Sequence, residues 1–217
     1  MNCQVPESCR VCRSPQVVFF MTVGDRHYWR CEHCQSTFLA AEELPEPEFE
    51  RERYNLHEND PQDEGYRQFL NRLAAPLLSR LAPKQRGLDY GCGPGPVLAQ
   101  MLEEAGHSMA LYDPFFFSDR RPLHQTYDFI TCTEVVEHFH HPAPEFDQLT
   151  GLLNPGGWLA IMTCFQTEDR AFANWHYRRQ ATHVTFYRQY TFEVIAQQWG
   201  YHCEVPRRNV VLLRKSS

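Results

Sequence analysis

Apolar residues between Gly65 and Pro83, in GYRQFLNRLAAPLLSRLAP, recur at steps of three and four: Tyr66, Phe69, Leu70, Leu73, Leu77 and Leu78. That period predicts an amphipathic helix, disturbed at Pro76 and stopped at Pro83. From Arg86 the pattern changes. RGLDYG is a short apolar run, PVLAQMLEEAG returns to helical spacing, and SMALYD is a second short run, which together predict one βαβ unit. Near the other end, YTFEVIAQQWGYHCEVPRRNVVLLRKSS predicts a helix stopped at Gly200 and two strands meeting near Arg207-Arg208. Toward the start, QVVFFMTV and HYWRC read as two strands around the turn Gly24-Asp25. Between these regions AAEELPEPEFERERYNLHENDPQDE is acidic and punctuated by proline, and it reads as a linker wrapping the next domain.

Composition narrows the class. The 217 residues are 42% hydrophobic and 22% charged, as in a globular chain with one full domain and a small appendage. A formal net charge of -6 sets up no global field for a nucleic-acid backbone, although a local basic face around Arg178 and Arg179 remains open. The N-terminus lacks an apolar h-region and no run of about 18 apolar residues occurs, so the expectation is a cytoplasmic protein without membrane insertion.

Nine cysteines then point to metal ligation and buried thiols rather than to disulfides. Cys9-x-x-Cys12 and Cys31-x-x-Cys34 are separated by eighteen residues, the spacing of two knuckles that close a Cys₄ zinc site at the ends of a hairpin. A unit this small has little core, and zinc binding worth roughly 10–16 kcal/mol would supply the missing stability. The rival reading, two redox motifs, lacks the βαβ setting such motifs need. Cys3 and His33 stand outside the ligand set, and Cys92, Cys132, Cys164 and Cys203 read as packing thiols.

The first loop of the βαβ unit carries Asp89-x-Gly91-x-Gly93-x-Gly95, and the second strand ends at Asp113. Glycines there allow a sharp exit from the strand and a close approach of ligand to backbone, while an acid ending the next strand suits ribose hydroxyls, so the expected ligand is a nucleoside. The spacing is neither the dinucleotide fingerprint nor a P-loop.

LDYGCGPG, LYDP, YDFITCTEVVEHF and LLNPGGWLAIMT occur in the order of the motifs of class I S-adenosylmethionine-dependent methyltransferases, and the segment from Arg86 to Lys215 resembles that family. The resemblance implies an α/β, Rossmann-like sheet with helices on both faces and an antiparallel C-terminal strand pair, here joined to an N-terminal zinc ribbon. The expected division is ribbon 1–42, linker and amphipathic helix 43–83, and methyltransferase domain 84–217. Asp89, Gly91, Gly93 and Gly95 would line the methionine end of S-adenosylmethionine, Asp113 would hold its ribose, and Thr133 would lie near the sulfonium. One departure stands out: only fourteen residues separate Asp113 from Asp128, too few for a helix plus a strand. The usual third strand is therefore expected to be shortened or absent, with Phe115, Phe116 and Phe117 either walling the adenine or simply packing.

If Glu134 opens a helix, Glu137 and His138 share its face, either as a solvated helix start or as a functional cluster. E-x-x-E-H at this place resembles ubiquinone-pathway O-methyltransferases and, with His183 later in the chain, small-RNA 3′-end 2′-O-methyltransferases. The resemblance implies a second divalent cation, Mg²⁺ or Mn²⁺, at Glu134, Glu137, His138 and His183. Without a metal, His138 or His183 would serve as general base. His140 and His141, beside Pro142, read as a polar loop. FANWHYRRQATHVTFYRQYTF offers Trp175, Tyr177, Arg178 and His183 as lid and acceptor contacts. The expected activity is methyl transfer to the oxygen of a small-molecule or RNA hydroxyl, a small molecule being favoured, with the ribbon open to a protein partner. The alternatives are an RNA base or sugar C-methyltransferase and a non-catalytic zinc-ribbon adaptor.

Overall fold

The computed structural model describes residues 5–56 and 59–217, so Cys3 lies outside the described residues. The strands are β1 (Val17–Val23), β2 (Arg26–Cys31), β3 (Thr37–Leu39), β4 (Arg86–Tyr90), β5 (Ser108–Tyr112), β6 (Tyr127–Thr133), β7 (Leu153–Met162), β8 (Thr185–Phe186), β9 (Tyr201–Arg207) and β10 (Val210–Lys215). The α-helices are α1 (Pro47–Tyr54), α2 (Glu64–Leu78), α3 (Val97–Glu104), α4 (Pro142–Leu152) and α5 (Gln189–Trp199).

The central sheet has six strands in the order β5-β4-β6-β7-β10-β9. β4 runs parallel to β5 and β6, β6 runs parallel to β7, and β10 is antiparallel to both β7 and β9. Alternation along the strands assigns the two faces. Trp158, Ala160 and Met162 of β7, with Val210 and Leu212 of β10, pack with Leu70, Leu73 and Leu77 of α2 and Leu98 and Leu102 of α3. Leu159, Ile161, Val211 and Leu213 point the other way, toward Phe146 and Leu149 of α4 and Phe192 and Ile195 of α5. Helices thus cover both faces, as expected of the Rossmann-like class. The sheet ends at β5, because residues 113–126 form only a single bridge, Asp113 to Phe117, and a 3₁₀ turn at Arg121–His124. The short spacer leaves no room for a further strand.

Three local expectations need correction. The acidic linker is not bare chain: Pro47 starts α1, whose fixed φ suits the first helical turn. α2 ends at Leu78, ahead of Pro83, and it continues through Pro76, which gives up the N–H bond to the carbonyl of Arg72 two residues before the helix ends. Glu134 does not open a helix. It adopts φ +54, and Val136–His138 form a single 3₁₀ turn before α4 begins at Pro142.

The N-terminal hairpin β1-β2 continues through β3 to β8, a four-stranded sheet that includes two residues from far along the chain. Gly24 turns the hairpin at φ +60. Cys9, Cys31, Cys34, Trp29 and Phe38 belong to the same buried cluster as α4 and α5, so the ribbon packs directly on that helical layer.

Candidate functional site

The four knuckle thiols converge. Cys9 Sγ lies 3.7 Å from Cys34 Sγ, Cys12 Sγ lies 3.6 Å from Cys31 Sγ, and all four fall within 4.8 Å of one another. A tetrahedron with Zn–S bonds of about 2.3 Å has edges of about 3.8 Å, so the donor set fits zinc in number, chemistry and spacing. Backbone N–H groups of Val11 and Cys34 donate to Cys9 Sγ and Cys31 Sγ at 3.3 and 3.4 Å, which favours the thiolate form.

A cavity of about 1070 Å³ opens at the carboxyl ends of β4, β5 and β6. In an open α/β sheet ligands bind there, where neighbouring crossovers leave in opposite directions. Asp89 is buried at the end of β4, where its Oδ1 accepts from Thr131 Oγ1 at 2.7 Å. Burial pushes its pKa up to about 6; the Thr131 bond opposes this and the charge of Asp113 adds to it. Asp113 Oδ2 accepts from Gly93 N at 3.0 Å, and its Oδ1 accepts from Phe115 N and Phe116 N at 2.8 and 3.1 Å. Three N–H donors occupy about three of its four acceptor sites and lock the glycine turn to the end of β5. A Cβ on Gly91, at φ +77, would stand 2.6 Å from Val135 Cγ2, and one on Gly95 would stand 2.6 Å from the carbonyl oxygen of Asn59. The turn is therefore bare because other chain segments press on it. Thr133 Oγ1, at the end of β6, is buried without a hydrogen-bond partner among the described residues, as an atom awaiting a ligand would be. These features fit S-adenosylmethionine, with Phe115 and Phe116 on the wall beyond Asp113.

The rest of the cavity collects the acid–histidine group. Glu137 is fully buried and accepts from Thr163 Oγ1 at 2.8 Å and from the Tyr177 hydroxyl, which also reaches Glu134 Oε2 at 3.1 Å. Burial first, then the neighbouring Glu134, pushes Glu137 up to about 8, and burial pushes Glu134 up to about 7. His138 Nδ1 lies 2.9 Å from the carbonyl of Thr182 and 3.0 Å from the Tyr54 hydroxyl. A carbonyl only accepts, so we assign the hydrogen to Nδ1 and the lone pair to Nε2. Glu137, His138 and His183 bring one ligand atom each within 4.8 Å of one another; Glu134 falls outside that trio. The 3₁₀ turn places Glu137 and His138 side by side, and Val184 N, donating to the carbonyl of Glu137 at 2.9 Å, brings the His183 loop against them.

Of the lid residues, Tyr177 and His183 face the cavity. Trp175 instead packs on Phe172 and Phe186, and Arg178 donates to the carbonyl of Ala173 at 2.9 Å, so neither is placed in the site. His141 precedes α4 as its N-cap residue, and His140 Nε2 meets Glu50 Oε1 at 3.1 Å. Three contributors lay in segments read as linker or plain helix: Tyr54 on α1, Asn59, and Arg72 on α2. Arg72 carried a signal, a charge in step with Tyr66 and Phe69. Tyr54 and Asn59 carried none.

A parallel sheet with an antiparallel end pair, a glycine turn held by an acid on the next strand, and a cavity above both define a class I methyltransferase domain. Residues 62–204 match the family model described as methyltransferase domain, and the chain belongs to that family. Over 91 residues it is 30% identical to the ubiquinone biosynthesis O-methyltransferase of Serratia proteamaculans (strain 568), a match covering 42% of this chain and 38% of that protein. The magnesium protoporphyrin IX methyltransferase of Synechocystis PCC 6803 with bound SAH superposes with a TM-score of 0.53 at 14% identity, covering 78% of this chain and 94% of that one. An O-methyltransferase family protein from Burkholderia thailandensis gives a TM-score of 0.49 at 16% identity over 76% of this chain and 62% of that one. The chain thus aligns with less than two thirds of the length of the O-methyltransferases it resembles. No helix among the described residues is long and apolar enough to cross a membrane.

Proposed function

We propose that this protein transfers the methyl group of S-adenosylmethionine to a hydroxyl oxygen, with a small-molecule acceptor rather than a nucleic acid. The observation that carries the reading is one cavity holding both halves of the reaction: the glycine turn with Asp113 and Thr133 at one end, and Glu134, His138, Tyr177 and His183 at the other. When bound, the cofactor supplies an electrophilic methyl carbon on a sulfonium. Asp113 and the turn around Gly93 orient the nucleoside, Asp89 and Gly91 bound the methionine end, and Thr133 offers its hydroxyl to the region near sulfur. The protein's larger task is to exclude water and align the acceptor oxygen with that carbon. With no cation at the acid–histidine trio, His138 is suited to take the hydroxyl proton, since Nε2 carries the lone pair while Nδ1 is held by Thr182; His183, whose ring centroid lies 4.7 Å away, stands beside it.

Two metals belong to the same proposal. Zinc at Cys9, Cys12, Cys31 and Cys34 is a closed structural site. A divalent cation, Mg²⁺ or Mn²⁺, at Glu137, His138 and His183 is supported by the converging donors and by the burial of Glu137, whose carboxyl forms no ion pair with Lys, Arg or His among the described residues. Such an ion would act as a Lewis acid on an acceptor hydroxyl. The division at residues 42 and 83 stays part of this reading, as does the small-molecule acceptor suggested by the net charge of -6 and by the relative from Serratia.

Calorimetric titration with S-adenosylhomocysteine, with and without Mn²⁺, is the decisive experiment. Saturable one-to-one binding is the expected result, and Mn²⁺ should raise the affinity if the acid–histidine trio holds the ion. Absence of binding in both buffers would leave a non-catalytic adaptor.

A further inference from the structure

α2 presents one line of side chains to the cavity. Tyr66, Phe69 and Arg72 follow at three-residue steps, which places them on one side of the helix, and all three line the cavity. The rings of Tyr66 and Phe69 lie within 15° of parallel with centroids 6.3 Å apart, a flat apolar strip. Beyond them Arg72 Nη2 donates to the carbonyl of Arg208 at 3.4 Å, and Arg208, in the turn between β9 and β10, also lines the cavity. Neither guanidinium has a carboxylate within 4.0 Å among the described residues, whereas Arg67 on the same helix is paired with Glu104 at 2.5 Å. Arg72 acts electrostatically on Glu134 and Arg208 on Cys164, so both charges bear on the acceptor end of the cavity, where β6 and β7 finish. Both arginines thus line this end of the cavity with no carboxylate in direct contact among the described residues, and an oxyanion there can accept forked N–H bonds from a guanidinium.

We propose that this face seats the methyl acceptor, a planar ring lying along Tyr66 and Phe69 whose carboxylate or phosphate is held by Arg72 and Arg208. The ring's hydroxyl then faces Glu134 and His138. The proposal rests on the methyl-transfer reading and adds the substrate class: a hydroxylated arene that is anionic at the end remote from the reacting oxygen. Arg72 and Arg208 are its specificity residues. They leave the cofactor end to Asp89 and Asp113.

The test is calorimetry on the full chain saturated with S-adenosylhomocysteine, titrated with 3,4-dihydroxybenzoate, with phenyl phosphate and with uncharged catechol. At least one anion should bind about a hundredfold more tightly than catechol, about tenfold for each arginine, and which one does so tells carboxylate from phosphate. Arg72→Ala and Arg208→Ala should each reduce that margin about tenfold, the loss expected for one charged hydrogen bond. Catechol and S-adenosylhomocysteine should bind the variants as they bind wild type, which also reports that the variants fold. Anions binding no more tightly than catechol, or a margin indifferent to both substitutions, would overturn the proposal. So would a loss of S-adenosylhomocysteine affinity in the variants, since the arginines would then be serving the cofactor's carboxylate. If wild type binds no S-adenosylhomocysteine, the methyl-transfer reading fails, and the same titrations without it still decide whether the arginine pair binds oxyanions.

Discussion

Among the described residues no cation stands beside Asp89 to offset its burial, which pushes its pKa up from an ordinary 3.8 to about 6. An acid whose pKa is higher folded than unfolded binds more protons in the native state, so its contribution to stability is fullest below the unfolded value and is lost as pH rises through the folded one. Between pH 5 and 7 wild type is expected to lose roughly 1 kcal/mol through this group. Asp89→Asn should flatten the urea-derived stability profile by that amount, and parallel profiles would show that Asp89 titrates normally. Tyr177 is the other residue to test alone. Its hydroxyl serves Glu137 and Glu134 in a nearly closed space. Tyr177→Phe removes one of the two side-chain donors to the buried Glu137 carboxyl, leaving only Thr163, and should cost about 1–3 kcal/mol in chemical denaturation while sparing S-adenosylhomocysteine affinity. Gly91→Ala places a methyl against Val135 at a left-handed φ, and a loss of more than about 1 kcal/mol is expected by the same measurement.

At the scale of elements, the ribbon and the lid are one structure. β3 pairs with β8 through Thr37 with Phe186 and Phe38 with Thr185; Leu39 N donates to Val184 O and Val184 N to Glu137 O, each at 2.9 Å. Arg30 ties the same ribbon to Asp169 at 2.7 Å, and Tyr28 packs edge-on to Phe172. The Cys₄ knuckles therefore hold β3, β3 holds β8, and the segment carrying Tyr177 and His183 is fixed over the acid pair. If the four thiols hold zinc, as proposed, stripping it with a chelator should raise amide exchange through residues 182–187 as well as through β1 and β2. Exchange that rose in the hairpin alone would mean that the lid stands without the ribbon. Cofactor affinity should change far less, because the glycine turn is held by β4, β5 and Asp113, which belong to the central sheet and not to the ribbon sheet.

Across the whole molecule, the cavity is assembled from α1, α2, four strand ends, the segment carrying Tyr177 and His183, and the β9–β10 turn, elements far apart in the chain. Ligand bound there stabilises the assembled state, so S-adenosylhomocysteine at one hundred times its dissociation constant should add about 2.7 kcal/mol of stability and raise Tm accordingly. An unchanged melting curve at that concentration would deny the cavity its ligand.

Much of this was legible in the chain. Short apolar runs separated by one amphipathic helix announced the βαβ unit, the cysteine spacing announced the convergence of four thiols, and fourteen residues between Asp113 and Asp128 announced a sheet ending at β5. Each is a local quantity, set by period or by reach of chain. The expected helix at Glu134 failed because its backbone is held in a left-handed turn, with its N–H bonded to Met162 O at 2.8 Å. β8 is only two residues long and carries no period, so its pairing with β3 was unreadable. Tyr54 reaches His138 only because α1 packs back over the cavity, and Arg72 meets Arg208 only because α2 crosses beside β10. The sequence by itself determined the order of elements and the chemistry each one carries. Tertiary structure alone decided which of them share a site, because contacts between distant segments depend on how whole faces pack, and no local pattern encodes that.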